Sequence, residues 1–127
     1  MAPVTAPPRP AAHQPAGLHL LADLAGIDAA LLTDPDAIDA LLRKAALAAG
    51  ARILHSHFHA FGPGMGVTGV LLLAESHISI HTWPEHGFAA ADIFMCGDAR
   101  PQCALDVIDA ALAPASRAVR TIERGQL

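Results

Sequence analysis

Cysteine is scarce in this chain, with two among 127 residues. Two cysteines do not make a framework of disulfides, so we expect the protein to work in a reducing cytoplasm. The eight lysines and arginines are scattered, and the formal net charge is −4. Without a basic stripe or run, we predict that it binds neither nucleic acid nor anionic lipid. The longest apolar run, 70–74, is far too short to cross a membrane.

The length of the chain allows one domain. Residues 1–17 hold half of the ten prolines and a single charge, Arg9, which predicts a disordered leader without the apolar core of a secretory signal. Residues 18–127 form the predicted domain. Because apolar residues reach 53% and charged residues only 16%, we expect a homodimer or a higher homo-oligomer that covers one face of each chain.

Hydrophobic periodicity predicts six strands and two helices. The predicted strands cover 18–24, 52–61, 67–74, 77–82, 88–96 and 117–123, and the helices cover 35–50 and 101–113. Strands grouped together with helices beside them indicate an α+β layered sandwich: a mainly antiparallel sheet with two helices on one face, the opposite face or an edge serving the homodimer. The continuous apolar run of 67–74 predicts a mid-sheet strand covered on both faces.

A group of chemically capable residues lies in the middle of the chain. Ser76 directly follows the carboxylate residue Glu75, His81 stands five residues later, and Cys96 closes the next apolar segment. Nucleophilic and acid–base catalysis use these residue types, here within about twenty residues of each other. Spacing alone does not name the chemistry.

The exact amino-acid sequence of this segment is more specific than the spacing of these residues. The string ESHISIHTWPE at 75–85, continued by AADIFMCG at 90–97, resembles the self-processing segment of bacterial S-adenosylmethionine decarboxylase proenzymes. The resemblance implies that Ser76 attacks the carbonyl of Glu75 and that His81 helps to remove the Cα proton of Ser76. β-Elimination then cuts the chain into a β chain, 1–75, and an α chain, 76–127, which begins with a pyruvoyl group made from Ser76.

The resemblance also implies the reaction of the mature enzyme. The substrate amine forms a Schiff base with the pyruvoyl carbonyl, carbon dioxide leaves, and Cys96 acts as the proton donor. The substrate would be S-adenosylmethionine, and the product the aminopropyl donor for spermidine synthesis. Alternatives are an arginine or ornithine decarboxylase on the same scaffold, or an uncut homologue that only binds.

Further site residues follow from the same resemblance. Phe61, Trp83 and Glu85 match the substrate site, with aromatic faces for adenine and a carboxylate for ribose hydroxyls. Thr68 stands where the family usually has a serine that assists cleavage, and the turn at 62–66 is one residue longer than usual. Threonine keeps the hydroxyl but has a stiffer χ1. Cys103 matches no family site, so we expect it to pack within its helix.

The spacing of Ser76 and His81 carries a geometric consequence. In a flat strand, residues an odd number apart point to opposite faces. We therefore predict that the chain turns at Glu75–Ser76, where the backbone can store about 1–3 kcal/mol of strain.

Metal binding is a rival interpretation. His55, His57 and His59 share one face of a predicted strand, a pattern able to offer three nitrogen ligands to zinc. Because no CxxC or HExxH motif accompanies them, we expect no metal in the enzyme and keep a metal-binding subunit only as the alternative.

Overall fold

Residues 14–127, which the computed structural model describes, form a six-stranded sheet with two helices. The predicted leader, 1–17, lies mostly outside these residues. The elements are β1 (Gly17–Ala25), α1 (Pro35–Ala48), β2 (Ile53–Ala60), β3 (Val67–Leu73), β4 (Ser76–Trp83), β5 (Phe88–Cys96), α2 (Pro101–Leu112) and β6 (Ser116–Arg124). The strand order is β2-β3-β4-β5-β1-β6, and all neighbouring strands are antiparallel. The predicted α+β class is confirmed.

Both helices begin at a proline and bury one stripe of small and aliphatic side chains. The carboxylate of Asp34 caps α1 by accepting hydrogen bonds from the backbone N–H groups of Asp36 and Ala37. Pro101 begins α2, but there the N-cap residue, Arg100, makes no side-chain capping hydrogen bond. The buried stripes consist of Ile38, Leu42, Ala45 and Ala46 in α1 and of Ala104, Leu105, Ile108 and Leu112 in α2. Neither helix is long and apolar enough to cross a bilayer.

The two faces of the sheet differ because side chains alternate along each strand. The helices cover the face that includes Ile78 and Ile80, both fully buried. No helix of the described region covers the other face, which we call the open face. It carries these side chains of the four central strands: His19, Leu21, Asp23, Thr68, Val70, Leu72, His77, Ser79, His81, Trp83, Ala90, Asp92 and Phe94.

Strand β3 lies inside the sheet as predicted, but it is not covered on both faces. Leu71 is fully buried under the helices, whereas Leu72 on the open face is 46% exposed. The sequence is apolar throughout 67–74 because the open face, like the covered face, carries aliphatic side chains on this strand. A single chain therefore leaves part of its apolar sheet surface in contact with water, which is the condition that favours association.

Two short 3-10 turns, absent from the predicted elements, close the far end of the sheet. They span Ala29–Leu32 and Pro84–His86. The buried hydroxyl of Thr82 connects this region to the sheet: it donates to the carbonyl of Leu32 at 2.7 Å and accepts from the backbone N–H of Val67 at 2.8 Å. Both backbone groups depend on this hydroxyl, because water does not reach them easily.

Thr82→Val keeps the shape of the side chain and removes both hydrogen bonds. We expect the free energy of unfolding to fall by about 1–3 kcal/mol, because a buried donor and a buried acceptor lose their partner. The measurement is urea denaturation at fixed protein concentration. Thr121→Val on the exposed strand β6 is the control and should change it by less than about 0.5 kcal/mol. Equal stability of the two variants would contradict the assignment.

Candidate active site

A two-residue turn joins β3 to β4 at the candidate cleavage point. Leu73 pairs with Ser76 across it, and Ala74 and Glu75 form the turn. Glu75 has φ of 60°, a left-handed conformation that costs a residue other than glycine roughly 1–2 kcal/mol. The predicted turn is present, and the strain lies on the residue whose carbonyl Ser76 would attack.

Ser76 and Cys96 are in direct contact. The backbone N–H of Cys96 donates to the Oγ of Ser76 at 3.3 Å, and the Cys96 side chain is a free thiol, 6% exposed. Burial raises the pKa of the Cys96 thiol, and the negative charge of Glu75 raises the pKa further. The thiol is therefore protonated at neutral pH, which is the state that a proton donor requires.

Thr68 and His81 form a second pair. They are register partners on β3 and β4, and the Oγ1 of Thr68 lies 3.0 Å from the Nδ1 of His81. The extra methyl group of threonine thus leaves its oxygen within hydrogen-bond distance of the imidazole.

The three predicted substrate residues share a cavity with this second pair. Phe61, Trp83 and Glu85 line a space of ≈ 350 Å³ together with Met65, Gly66, Thr68, His81 and Thr82. The rings of Phe61 and Trp83 are 57% and 40% exposed, so their faces are available to a ligand. The size is within the range of pockets for small molecules.

The candidate residues fall into two groups that lie apart within one chain. We call Glu75, Ser76 and Cys96 the serine end, and Thr68, His81 and the three cavity residues the histidine end. Ser76 and His81 stand five positions apart on the regular strand β4, which puts them about 16 Å apart at about 3.3 Å per residue. Because this number of positions is odd, the two residues also belong to opposite faces of the strand. The turn does not bring them together in a single chain.

A polar cluster lies between the two ends on the open face. Asp92 accepts hydrogen bonds from the Nε2 of His19 at 2.6 Å and the Nε2 of His77 at 2.8 Å, and Ser79 Oγ donates to its other oxygen. Partial burial opposes ionisation of Asp92, but the bonds from Ser79, His19 and His77 outweigh it and lower its pKa. Local sequence patterns do not reveal this cluster, because His19 lies 73 residues from Asp92 along the chain.

The alternative metal site is not assembled. Among the residues described, the group with metal-ligand spacing is His19, His77 and Asp92, not the histidines of β2. The predicted trio His55, His57 and His59 is exposed along an edge strand, where same-face neighbours stand about 6.6 Å apart. Cys103 is half-buried against the core, as the prediction of helix packing requires.

The fold and the strained serine junction define an α+β protein with a candidate self-processing site. Comparison with known families then gives a specific result. The sequence model of the S-adenosylmethionine decarboxylase family matches residues 18–125, nearly all of the predicted domain. The chain belongs to the S-adenosylmethionine decarboxylase family.

Curated relatives agree with this family. The S-adenosylmethionine decarboxylase proenzyme of Aquifex aeolicus is 47% identical over 110 residues, which cover 86% of this chain and 81% of the relative. The proenzyme of Sulfurihydrogenibium is 56% identical over 81 residues, or 64% of this chain. That alignment spans 60% of the relative, less than two thirds of its length.

A solved structure supports the fold. The crystal structure of the adenosylmethionine decarboxylase from Aquifex aeolicus is similar to this chain with a TM-score of 0.83 and 43% identity. The match covers 90% of this chain and 94% of the crystallised one. The family expected from the string at 75–85 is confirmed.

The effect of Glu75 on Cys96 is testable in uncut protein. In a Ser76→Ala, Cys103→Ser background, Glu75→Gln should lower the pKa of Cys96, because it removes the negative charge that opposes ionisation of the thiol. The rate of alkylation by iodoacetamide, measured against pH, should show a midpoint at lower pH. Glu123→Gln on β6 is the matched control. An unchanged or higher midpoint for Glu75→Gln would refute the coupling.

Proposed function

We propose that the chain is the self-cleaving proenzyme of a pyruvoyl-dependent S-adenosylmethionine decarboxylase. The observation that carries the proposal is the junction at Glu75 and Ser76. There a left-handed glutamate precedes a serine whose hydroxyl contacts the backbone of Cys96, in a chain of this family. The cytoplasmic location stays a prediction.

Cleavage uses groups that the chain itself provides. The Oγ of Ser76 attacks the carbonyl carbon of Glu75 and the C–N bond breaks, so the amide becomes an ester and the amine of Ser76 is freed. Removal of the Cα proton then expels the carboxylate of Glu75 by breaking the Cβ–Oγ bond. Water converts the resulting enamine to a ketone and ammonia leaves. The turn lowers the barrier to the first step, because its strain is already present in the uncut chain.

The mature site would place the pyruvoyl group at residue 76. That group supplies an electron-accepting carbonyl, which delocalises the electron pair left when carbon dioxide departs. The backbone of Cys96 contacts residue 76, and in this proposal its protonated thiol donates the proton that the product carbon needs. Its raised pKa keeps the proton available at neutral pH.

The cavity at the histidine end favours a nucleoside substrate. Exposed rings of Phe61 and Trp83 offer stacking surfaces to an adenine ring, and Glu85 offers a carboxylate to ribose hydroxyls. Arginine and ornithine have no aromatic ring to fill this space. We therefore propose S-adenosylmethionine as the substrate and its decarboxylated form, an aminopropyl donor for spermidine synthesis, as the product.

We further propose a homodimer in which two open faces pack together. The separation of about 16 Å between Ser76 and His81 is too large for a direct contact within one chain. A two-fold axis in the interface, perpendicular to the strands, reverses β4 of the second copy. The histidine end of one protomer then lies opposite the serine end of the other. The exposed apolar side chains Leu21, Leu72 and Ile122 on the open face support such packing.

Purified wild-type protein should consist of two fragments, 1–75 and 76–127, the second with a blocked pyruvoyl terminus, whereas Ser76→Ala should stay intact at 13.1 kDa. Mass spectrometry checks the cut. Cleaved protein should release carbon dioxide from carboxyl-labelled S-adenosylmethionine and not from arginine or ornithine. His55→Gln, on the edge strand β2, is the control and should cleave normally. A wild-type chain that stays intact after long incubation would contradict the enzyme and favour the alternative of an uncut binding subunit.

Two inactive variants should restore cleavage together. Alone, Ser76→Ala is uncut, and His81→Ala should cleave at least about a hundredfold more slowly, because it lacks the proton acceptor. In mixed dimers, isolated through two different tags, the His81→Ala chain should be cut, since the partner supplies His81. The control pairs His81→Ala with a chain that carries both substitutions and should remain uncut. Cleavage equally slow in both mixtures would argue against a shared site.

A further inference from the structure

A series of connected hydrogen bonds crosses four strands beside the serine end. It runs from Arg124 on β6 to His19 on β1, then to Asp92 on β5 and His77 on β4. His77 is the residue directly after Ser76. The ring of Phe94 lies against both imidazoles, with ring centroids 5.5 Å from His19 and 6.0 Å from His77.

The partners of His19 assign its protons. A guanidinium has donors only, so Arg124 Nη1, at 3.0 Å, donates to the Nδ1 of His19. The proton of a neutral His19 ring is then on Nε2 and is donated to Asp92. With that nitrogen protonated, His19 directs no lone pair into the cluster. The group of two histidines and one aspartate is therefore a hydrogen-bonded network, not three metal ligands.

Cleavage changes what holds residue 76 in place, if the proposed function is correct. In the uncut chain, residue 76 is held by its bond to Glu75, by pairing with Leu73 across the turn and by the contact of its Oγ with Cys96. Cleavage removes the bond to Glu75 and the Oγ contact, since the Oγ leaves with Glu75. Residue 76 is then attached to the protein through His77 alone. Backbone pairing of His77 with Leu72 and Phe94 remains, together with the side-chain hydrogen bond to Asp92.

We propose that Asp92 is a positioning residue that holds the pyruvoyl terminus of the mature enzyme through His77. Its carboxylate anchors the only residue to which that terminus is bonded. Ser79 and His19 keep the carboxylate ionised and oriented, and Arg124 fixes the protonation of His19. The inference rests on the proposed function and adds a role for residues that take no part in the cleavage chemistry.

The test separates the anchor from the fold. His77→Leu removes the donor to Asp92, whereas His77→Gln keeps an N–H at a similar reach. With cleaved protein, His77→Leu should lower kcat at least about tenfold with KM within about twofold, because a misplaced reactive group affects the chemical step more than binding. His77→Gln should recover most of kcat. Asp92→Asn should also lower kcat, and combined with His77→Leu the losses should not add. His55→Gln is the control.

The results with these variants either support or overturn the anchoring role of Asp92. A kcat in His77→Leu equal to that of the control overturns the anchor while cleavage and turnover of the wild type keep the proposed function intact. A kcat that His77→Gln does not restore also overturns it. A block of cleavage in His77→Leu that His77→Gln relieves supports it, since the same anchor then acts earlier. A wild-type chain that stays uncut refutes the proposed function and the anchor together.

A second measurement does not depend on cleavage. In uncut Ser76→Ala protein, imidazole ¹⁵N NMR should show His19 and His77 with their protons on Nε2. Asp92→Asn should change the Nε2 resonances of both rings, and Arg124→Leu should change the Nδ1 resonance of His19. Imidazoles that exchange freely between tautomers in the starting protein would overturn the network.

Discussion

The regular pairing of β4 between β3 and β5 is the constraint on which the rest of the site depends. A strand fixes both the distance and the face of each side chain, so Ser76 and His81 are held about 16 Å apart whatever their chemistry requires. Pairing also sets His81 opposite Thr68, and at the start of β4 the Oγ of Ser76 accepts a hydrogen bond from the backbone N–H of Cys96. One strand thus contributes to both ends, which the proposed homodimer would bring together.

Strain and burial are concentrated at the serine end. The left-handed backbone of Glu75 raises the energy of the bond next to Ser76, and burial keeps the thiol of Cys96 protonated. Strands β3 and β4 pair directly on either side of the two-residue turn, which holds Glu75 in this conformation. The histidine end is different: its aromatic rings are exposed and its cavity is open to a ligand.

The open face combines apolar side chains with a polar network, and both become more important if the face is covered. Leu21 and Leu72 lose contact with water on association, which favours it. The hydrogen bonds to Asp92 would then lie at lower dielectric, where a satisfied carboxylate is held more firmly. The network keeps a partly buried carboxylate paired near the candidate cleavage site.

The pattern of residues determined the elements, because periodicity reports which face of a strand or helix is buried. It placed the two helices, the six strands and the turn at Glu75. The string at 75–85 also determined the family. Only the tertiary structure decided strand order, and with it the contact of His19 with Asp92. Those relations arise between strands distant in the chain, where local pattern contains no information on which strands become neighbours.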